Sequence, residues 1–168
     1  MRPALTVALT ASLIAAGPVG ARGLEDRNVT FGGLAFDDEA APIFAGNRWP
    51  STVGPGWEYG LDPEGAQNGW DLIPVAIDIS ADRITLVYPD AEVGVFPELV
   101  FNGYVLDFLT ECVLFNGAAL DPVNSTVSFT EDDIYTKGSA LYIDVGGQRY
   151  GPNTIISILV DVADCPLS

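Results

Sequence analysis

Ile73–Tyr88 reads IPVAIDISADRITLVY, and its alternation decides the fold class. Val75, Ile77 and Ile79 point one way, while Ala76, Asp78 and Ser80 point the other. A period of two marks a half-buried strand, since successive side chains leave opposite faces. Ile84, Leu86 and Tyr88 repeat the pattern after the short polar connector Ser80–Arg83. Two such runs joined so closely predict an antiparallel hairpin.

The same signal extends outward in both directions. Asn28–Phe36 (NVTFGGLAF) reads as a strand whose Gly32–Gly33 pair suggests a bulge or bend. Asp37–Pro50 reads as irregular. Val53–Tyr59 (VGPGWEY) reads as a strand entered through a Gly-Pro-Gly kink, and Leu61–Asp71 as a polar turn region. Pro89–Pro97 reads as a loop. Leu99–Leu109 (LVFNGYVLDFL) favours strand, or strand-turn-strand about Asn102–Gly103. Cys112–Phe115 is short and β-like, with Asn116–Gly117 turning it. Val127–Phe129 starts a further strand, Leu141–Val145 another, and Thr154–Val162 (TIISILVDV) a central one. About eight to ten short strands with frequent turn signals predict an all-β fold, an antiparallel β-sandwich.

Composition narrows the chemistry. The chain of 168 residues carries 23 acidic and 7 basic side chains, a net charge of −16, and no histidine. Lys137 is its only lysine. Phosphate recognition needs a basic face, so nucleic acid is excluded as a partner. Ser-His-Asp and Cys-His catalysis and His-liganded metal sites are excluded as well. At 48% hydrophobic residues the chain can build a core and is not a disordered polyanion.

Residues 1–21 have the order of a signal peptide. Arg2 supplies the charge, Ala4–Ala16 the apolar run, Gly17–Pro18 the break, and Val19-Gly20-Ala21 the small-residue site. The run is too short for a membrane anchor. Cleavage after Ala21 leaves residues 22–168 as one domain of 147 residues at a net charge of −17, with no transmembrane segment. The expected location is secreted or periplasmic. Cys112 and Cys165 are the only cysteines, and an exported chain most simply joins them. A loop of that size stabilises by about 4 kcal/mol in the chain-entropy model. The alternative is two free buried thiols.

The order TVGPGWEY, DISADRITL, LVFNGYVLDFL and VSFTEDDIY, spanning roughly Val53 to Val162, resembles the exported β-domains of bacterial PEP-CTERM and VPLPA-CTERM proteins. The resemblance implies an exported β-sandwich in an envelope or extracellular-matrix setting. Such proteins end in a Pro-containing sorting motif, an apolar helix and a basic cluster, whereas this sequence ends ADCPLS.

Three groups are candidate ligand sites. Asp78, Ser80 and Asp82 place oxygen ligands at a spacing that suits calcium. The EF-hand positions for glycine and glutamate hold Arg83 and Pro89, so this is no EF-hand. The bland alternative is a solvated strand face entering a turn, and the same holds for Asp37–Glu39 and Glu131–Asp133. Trp49 and Trp70 lie in turn-rich segments, where an exposed ring can stack on a sugar. Trp57, Tyr59 and Tyr88 are further aromatics expected to be partly exposed. The alternative for all of them is plugging the ends of the fold.

No residue is assigned a catalytic role, and the chain is expected not to be an enzyme. The primary expectation is a non-enzymatic envelope or matrix protein without a cofactor, with polysaccharide or envelope components as partners. The alternative is a small carbohydrate- or calcium-binding module. A hydrolase built on two facing carboxylates comes third.

Overall fold

The computed structural model describes residues 23–61, 73–108 and 113–164. In chain order the strands are β1 (Asn28–Phe36), β2 (Phe44–Ala45), β3 (Trp49–Thr52), β4 (Trp57–Tyr59), β5 (Ala76–Ile79), β6 (Arg83–Val87) and β7 (Gly94–Val95). They continue as β8 (Phe101–Asp107), β9 (Val113–Leu120), β10 (Ile134–Lys137), β11 (Ala140–Asp144), β12 (Arg149–Tyr150) and β13 (Ile155–Asp164). A single 3-10 turn, Glu131–Asp133, is the sole helical element among the described residues. The all-β expectation is met, and every pairing is antiparallel.

The first sheet runs β10-β11-β8-β1-β2, with β3 also paired to β1. The second runs β4-β5-β6-β13-β9, and β7 and β12 form a separate small ribbon. One apolar cluster draws on both large sheets: Phe31, Leu106 and Leu141 from the first, Ile77, Leu86 and Ile158 from the second. Rings cross between them, with Phe31 and Tyr59 centred 5.0 Å apart. Alternation explains the choice of side chains, since Ile84 and Leu86 are fully buried while Arg83, Thr85 and Val87 are half-buried.

The hairpin forms, pairing Ile79 with Ile84 and Ile77 with Leu86, but its strands span Ala76–Ile79 and Arg83–Val87 rather than Ile73–Ile79 and Ile84–Tyr88. Asn28–Phe36 is a strand with the expected ends. Thr154–Val162 matches β13, which is paired on both sides, to β6 and β9.

Several local expectations are corrected. Gly32–Gly33 makes no bulge against β8, where the register runs unbroken from Thr30↔Asp107 to Phe36↔Phe101. Gly32 instead gives passage to Arg48, whose Nη1 donates to the Val105 carbonyl at 2.8 Å. A Cβ at Gly32 would meet the Asn47 carbonyl at 2.8 Å and Arg48 Cδ at 3.0 Å. The supposedly irregular Asp37–Pro50 contains β2 and enters β3, both laid along β1. The Pro89–Pro97 loop holds β7, which finds its partner in β12.

Asn102–Gly103 does not interrupt β8, because the strand is clamped between β1 and β11. A Cβ at Gly103 would collide with the Ile143 carbonyl. Asn116–Gly117 does not turn the chain either; β9 runs through it. The pairing shifts from Gly117↔Asp161 to Phe115↔Val162, so Asn116 is an extra residue with no partner on β13. That is a bulge. Val127–Phe129 is not a strand, because the preceding segment spends its bonds on β13, Thr126 N–H donating to the Ile155 carbonyl at 2.9 Å.

The two glycines give a test by contrast. Gly103→Ala should destabilise by at least about 1–3 kcal/mol through overpacking. Gly117→Ala, with nothing within 4 Å of its added carbon, should stay within about 0.5 kcal/mol of the parent. Urea denaturation midpoints measure both, and equal effects would contradict the packing described.

Candidate functional site

The hairpin β5–β6 closes through the Ser80 N–H, which donates to the Arg83 carbonyl at 2.8 Å. This turn divides the Asp78-x-Ser80-x-Asp82 run. Asp78 and Ser80 line an open cleft of 440 Å³ with Glu25, Asp26, Gly54 and Pro55. Asp82 lines a different cleft, with Gly23, Ala81 and Val160–Val162. Among the described residues no three Asp, Glu, Cys or His side chains are grouped so as to hold a metal ion.

Behind the first cleft sits Glu58, only 4% exposed. Its Oε1 accepts the Gly54 N–H at 2.9 Å and its Oε2 the Ile79 N–H at 2.6 Å. One carboxylate therefore ties the Gly54-Pro55-Gly56 kink to the end of β5. The kink needs glycine at Gly56, whose φ is +102°. Register shifts between Trp57 and Tyr59, so Glu58 and Tyr59 both turn inward while Trp57 stays outside. Trp57 is 55% exposed and lies directly across from Asp78. Trp57 thus places an exposed ring next to Asp78, which itself lines the cleft. Its signal in the sequence was VGPGWEY, where Trp57 and Glu58 take opposite sides of one short strand.

Trp49 is 39% exposed, and its carbonyl accepts a hydrogen bond from the Tyr59 hydroxyl at 2.8 Å. Trp70, Cys112 and Cys165 lie outside the described residues. Tyr59 and Tyr88, expected to be partly exposed, are fully buried. They belong to an aromatic group with Phe31, Phe96 and Tyr104 inside the core, and burial holds their hydroxyls well above the usual phenol range.

The two acidic runs are occupied with local structure. Asp37 accepts the Val100 N–H and Asp38 the Ala40 N–H. Glu39 pairs with Lys137 at 2.9 Å, both exposed. Asp133 accepts the Thr130 hydroxyl at 3.0 Å and caps the 3-10 turn.

Elsewhere two further carboxylates are used inside the fold. Asp121 binds Arg83, accepts the Val123 N–H at 3.0 Å and takes an Asn124 amide hydrogen at 2.6 Å. These bonds hold its carboxyl down at about 2. Asp144 Oδ1 accepts N–H groups from Asn102 and Gly146. Desolvation raises Asp144, Glu58 and Asp78 from their ordinary values, with Asp78 adding like-charge repulsion on Glu58.

No family model matches the chain, and no curated protein or solved structure does either.

Opposite shifts give opposite pH dependences. The Asp121 contribution is complete above 3.8 and is lost as pH falls through about 2. Glu58, Asp78 and Asp144 hold protons more tightly when folded, so each disfavours the fold at neutral pH. That penalty disappears as pH falls through their folded values toward 4.5 for Glu58 and 3.8 for the aspartates. Melting temperature should therefore rise from pH 7 into the mildly acid range and fall below 3.8. Thermal unfolding across pH should show a smaller acid gain in Glu58→Gln; an unchanged gain assigns the effect elsewhere.

Proposed function

We propose that the chain is an exported, acidic, antiparallel β-sandwich with a non-enzymatic role in the cell envelope or extracellular matrix. The observation that carries this reading is how the carboxylates in the fold are used. Glu58 spends both carboxylate oxygens on backbone N–H groups, Asp121 spends both on Asn124, Arg83 and the Val123 N–H, and Asp144 spends its Oδ1 on two backbone N–H groups. A hydrolytic pair needs one carboxyl free as an acid and another free as a base or nucleophile. The apolar cluster shared by the two sheets supports the sandwich. The charge of −16 supports solubility and mutual repulsion in a crowded exterior.

Pairing at the end of the second sheet supports the Cys112–Cys165 disulfide. Val113 and Asp164 are register partners on β9 and β13, and each is the immediate chain neighbour of one cysteine.

A specific observation favours a second reading, a carbohydrate-binding module. Trp57 and Asp78 face each other beside the cleft that Ser80, Glu25 and Asp26 line. A sugar ring offers a C–H face to stack on the indole and hydroxyls to donate to the carboxylates. Neutral polysaccharide suits this site, since an acidic one meets the surrounding negative charge.

Expression of the full chain in a Gram-negative host tests the first reading. The product should fractionate with the periplasm, envelope or medium and begin near Arg22. It should also yield Cys112 and Cys165 peptides joined until reduced. Cytoplasmic protein retaining Met1 would sink it. Titration with neutral oligosaccharides, followed by Trp fluorescence, tests the second. Binding should weaken by at least about tenfold in Trp57→Ala, as expected for a hot-spot aromatic, and Trp49→Ala should leave it nearly unchanged. No binding by the parent protein removes that reading.

A further inference from the structure

Three Asn-Gly pairs occur in the chain, at Asn68–Gly69, Asn102–Gly103 and Asn116–Gly117. The first lies outside the described residues. The other two are in opposite environments, and the contrast carries a chemical consequence. We propose that Asn116 is a site of spontaneous imide formation, at which the folded protein converts asparagine to aspartate and isoaspartate.

The reaction needs only the chain, a base and water. Hydroxide takes the proton from the main-chain nitrogen of Gly117. That nitrogen attacks Cγ of Asn116, a new N–Cγ bond forms, and the Cγ–Nδ2 bond breaks. The departing nitrogen picks up a proton and leaves as ammonia. Water then opens the five-membered imide at one of its two carbonyls. Opening at one gives aspartate, and at the other isoaspartate. No oxidant or reductant enters, and each product carries one more negative charge than its parent.

Three observations place this chemistry at Asn116. The residue following it has no side chain to hinder ring closure, and nothing lies within 4 Å of where its Cβ would be. Both Asn116 and Gly117 are exposed to the solvent that supplies base and water. Most tellingly, Asn116 is the unpaired residue of the bulge, on a strand that ends its sheet among the described residues. Ring closure requires the backbone to leave extended geometry, and a bulge on a strand bonded along one side resists that least.

Asn102 has none of this freedom. It is 7% exposed, and its amide donates to the Pro97 carbonyl at 2.7 Å. Its own N–H donates to Asp144 at 3.1 Å, and β1 and β11 bind β8 on both sides. Closing the same ring there requires opening the middle of the first sheet.

Conversion at Asn116 alters a strand that carries no charge from Val113 to Leu120. The new carboxylate arises next to Gly117, whose register partner is Asp161. Isoaspartate also adds a methylene to the main chain and so breaks the pairing of β9 beyond the bulge.

The test holds the folded protein at mildly alkaline pH and maps its peptides by mass and by isoaspartate methylation. Conversion at Asn116 should proceed at least about tenfold faster than at Asn102, because the buried site must first open. It should accelerate with pH. It should vanish in Asn116→Gln and slow by about tenfold or more in Gly117→Ala, whose added carbon hinders the attacking nitrogen. In urea, where the fold no longer protects Asn102, the two rates should converge. Equal rates in the folded protein overturn the proposal, and so does an Asn116 that converts only in urea.

Discussion

One shared apolar layer sets the position of everything else. The inward side chains of β1, β8 and β11 meet those of β5, β6 and β13, and Phe31, Ile77, Ile84, Leu86, Leu106, Leu141 and Ile158 are wholly removed from water. Burial of each such side chain contributes about 1.5–3 kcal/mol before entropy is counted. Because side chains alternate, that requirement also dictates which residues face solvent. Asp78 is on the surface because Ile77 and Ile79 are not. Trp57 is outside because Glu58 and Tyr59 have both turned in.

The layer explains what was legible in the sequence. The β5–β6 hairpin and β11 are legible because their alternation is local, and β1 and β13 because their β-branched, aromatic and aliphatic content is. What was missed depended on partners far along the chain. β2 and β3 become strands only because β1 offers them an edge. Asn-Gly reads as a turn, yet Asn102–Gly103 is held straight by two neighbours and Asn116–Gly117 is kept in line by β13. The glycine pair in β1 signalled a bend, but serves as a gap for Arg48. Spacing along the chain marks a residue as unusual, and only its neighbours in space decide the use.

The candidate site was half legible for the same reason. The spacing marks Asp78 and Ser80, and the two share a cleft. Asp82 has the right spacing but stands beyond the turn, so it opens on another cleft. Trp57 is one aromatic among several in the sequence, and its place opposite Asp78 follows from strand register. Glu58 gave no sign at all. A buried carboxylate bonded to two N–H groups looks in sequence like any other acid, although it costs more to bury and is tied more closely to the backbone. Net charge is similarly blind, since it counts Asp121, held down by Asn124 and Arg83, together with Asp144, raised by burial.

The Tyr59 hydroxyl gives the fold a mechanical property. Tyr59 belongs to β4 in the second sheet, yet its hydroxyl donates to the carbonyl of Trp49 in β3, with the carbonyl of Val29 in β1 at 3.2 Å. Apolar layers hold two sheets together but let them slide, because contact between smooth hydrocarbon surfaces is non-directional. A directional bond across the layer works as a latch. A load that drags one sheet along the other meets this bond in shear, together with the ring of Tyr59 lodged against Phe31. The interior of this protein thus carries a point of friction as well as a driving force for burial.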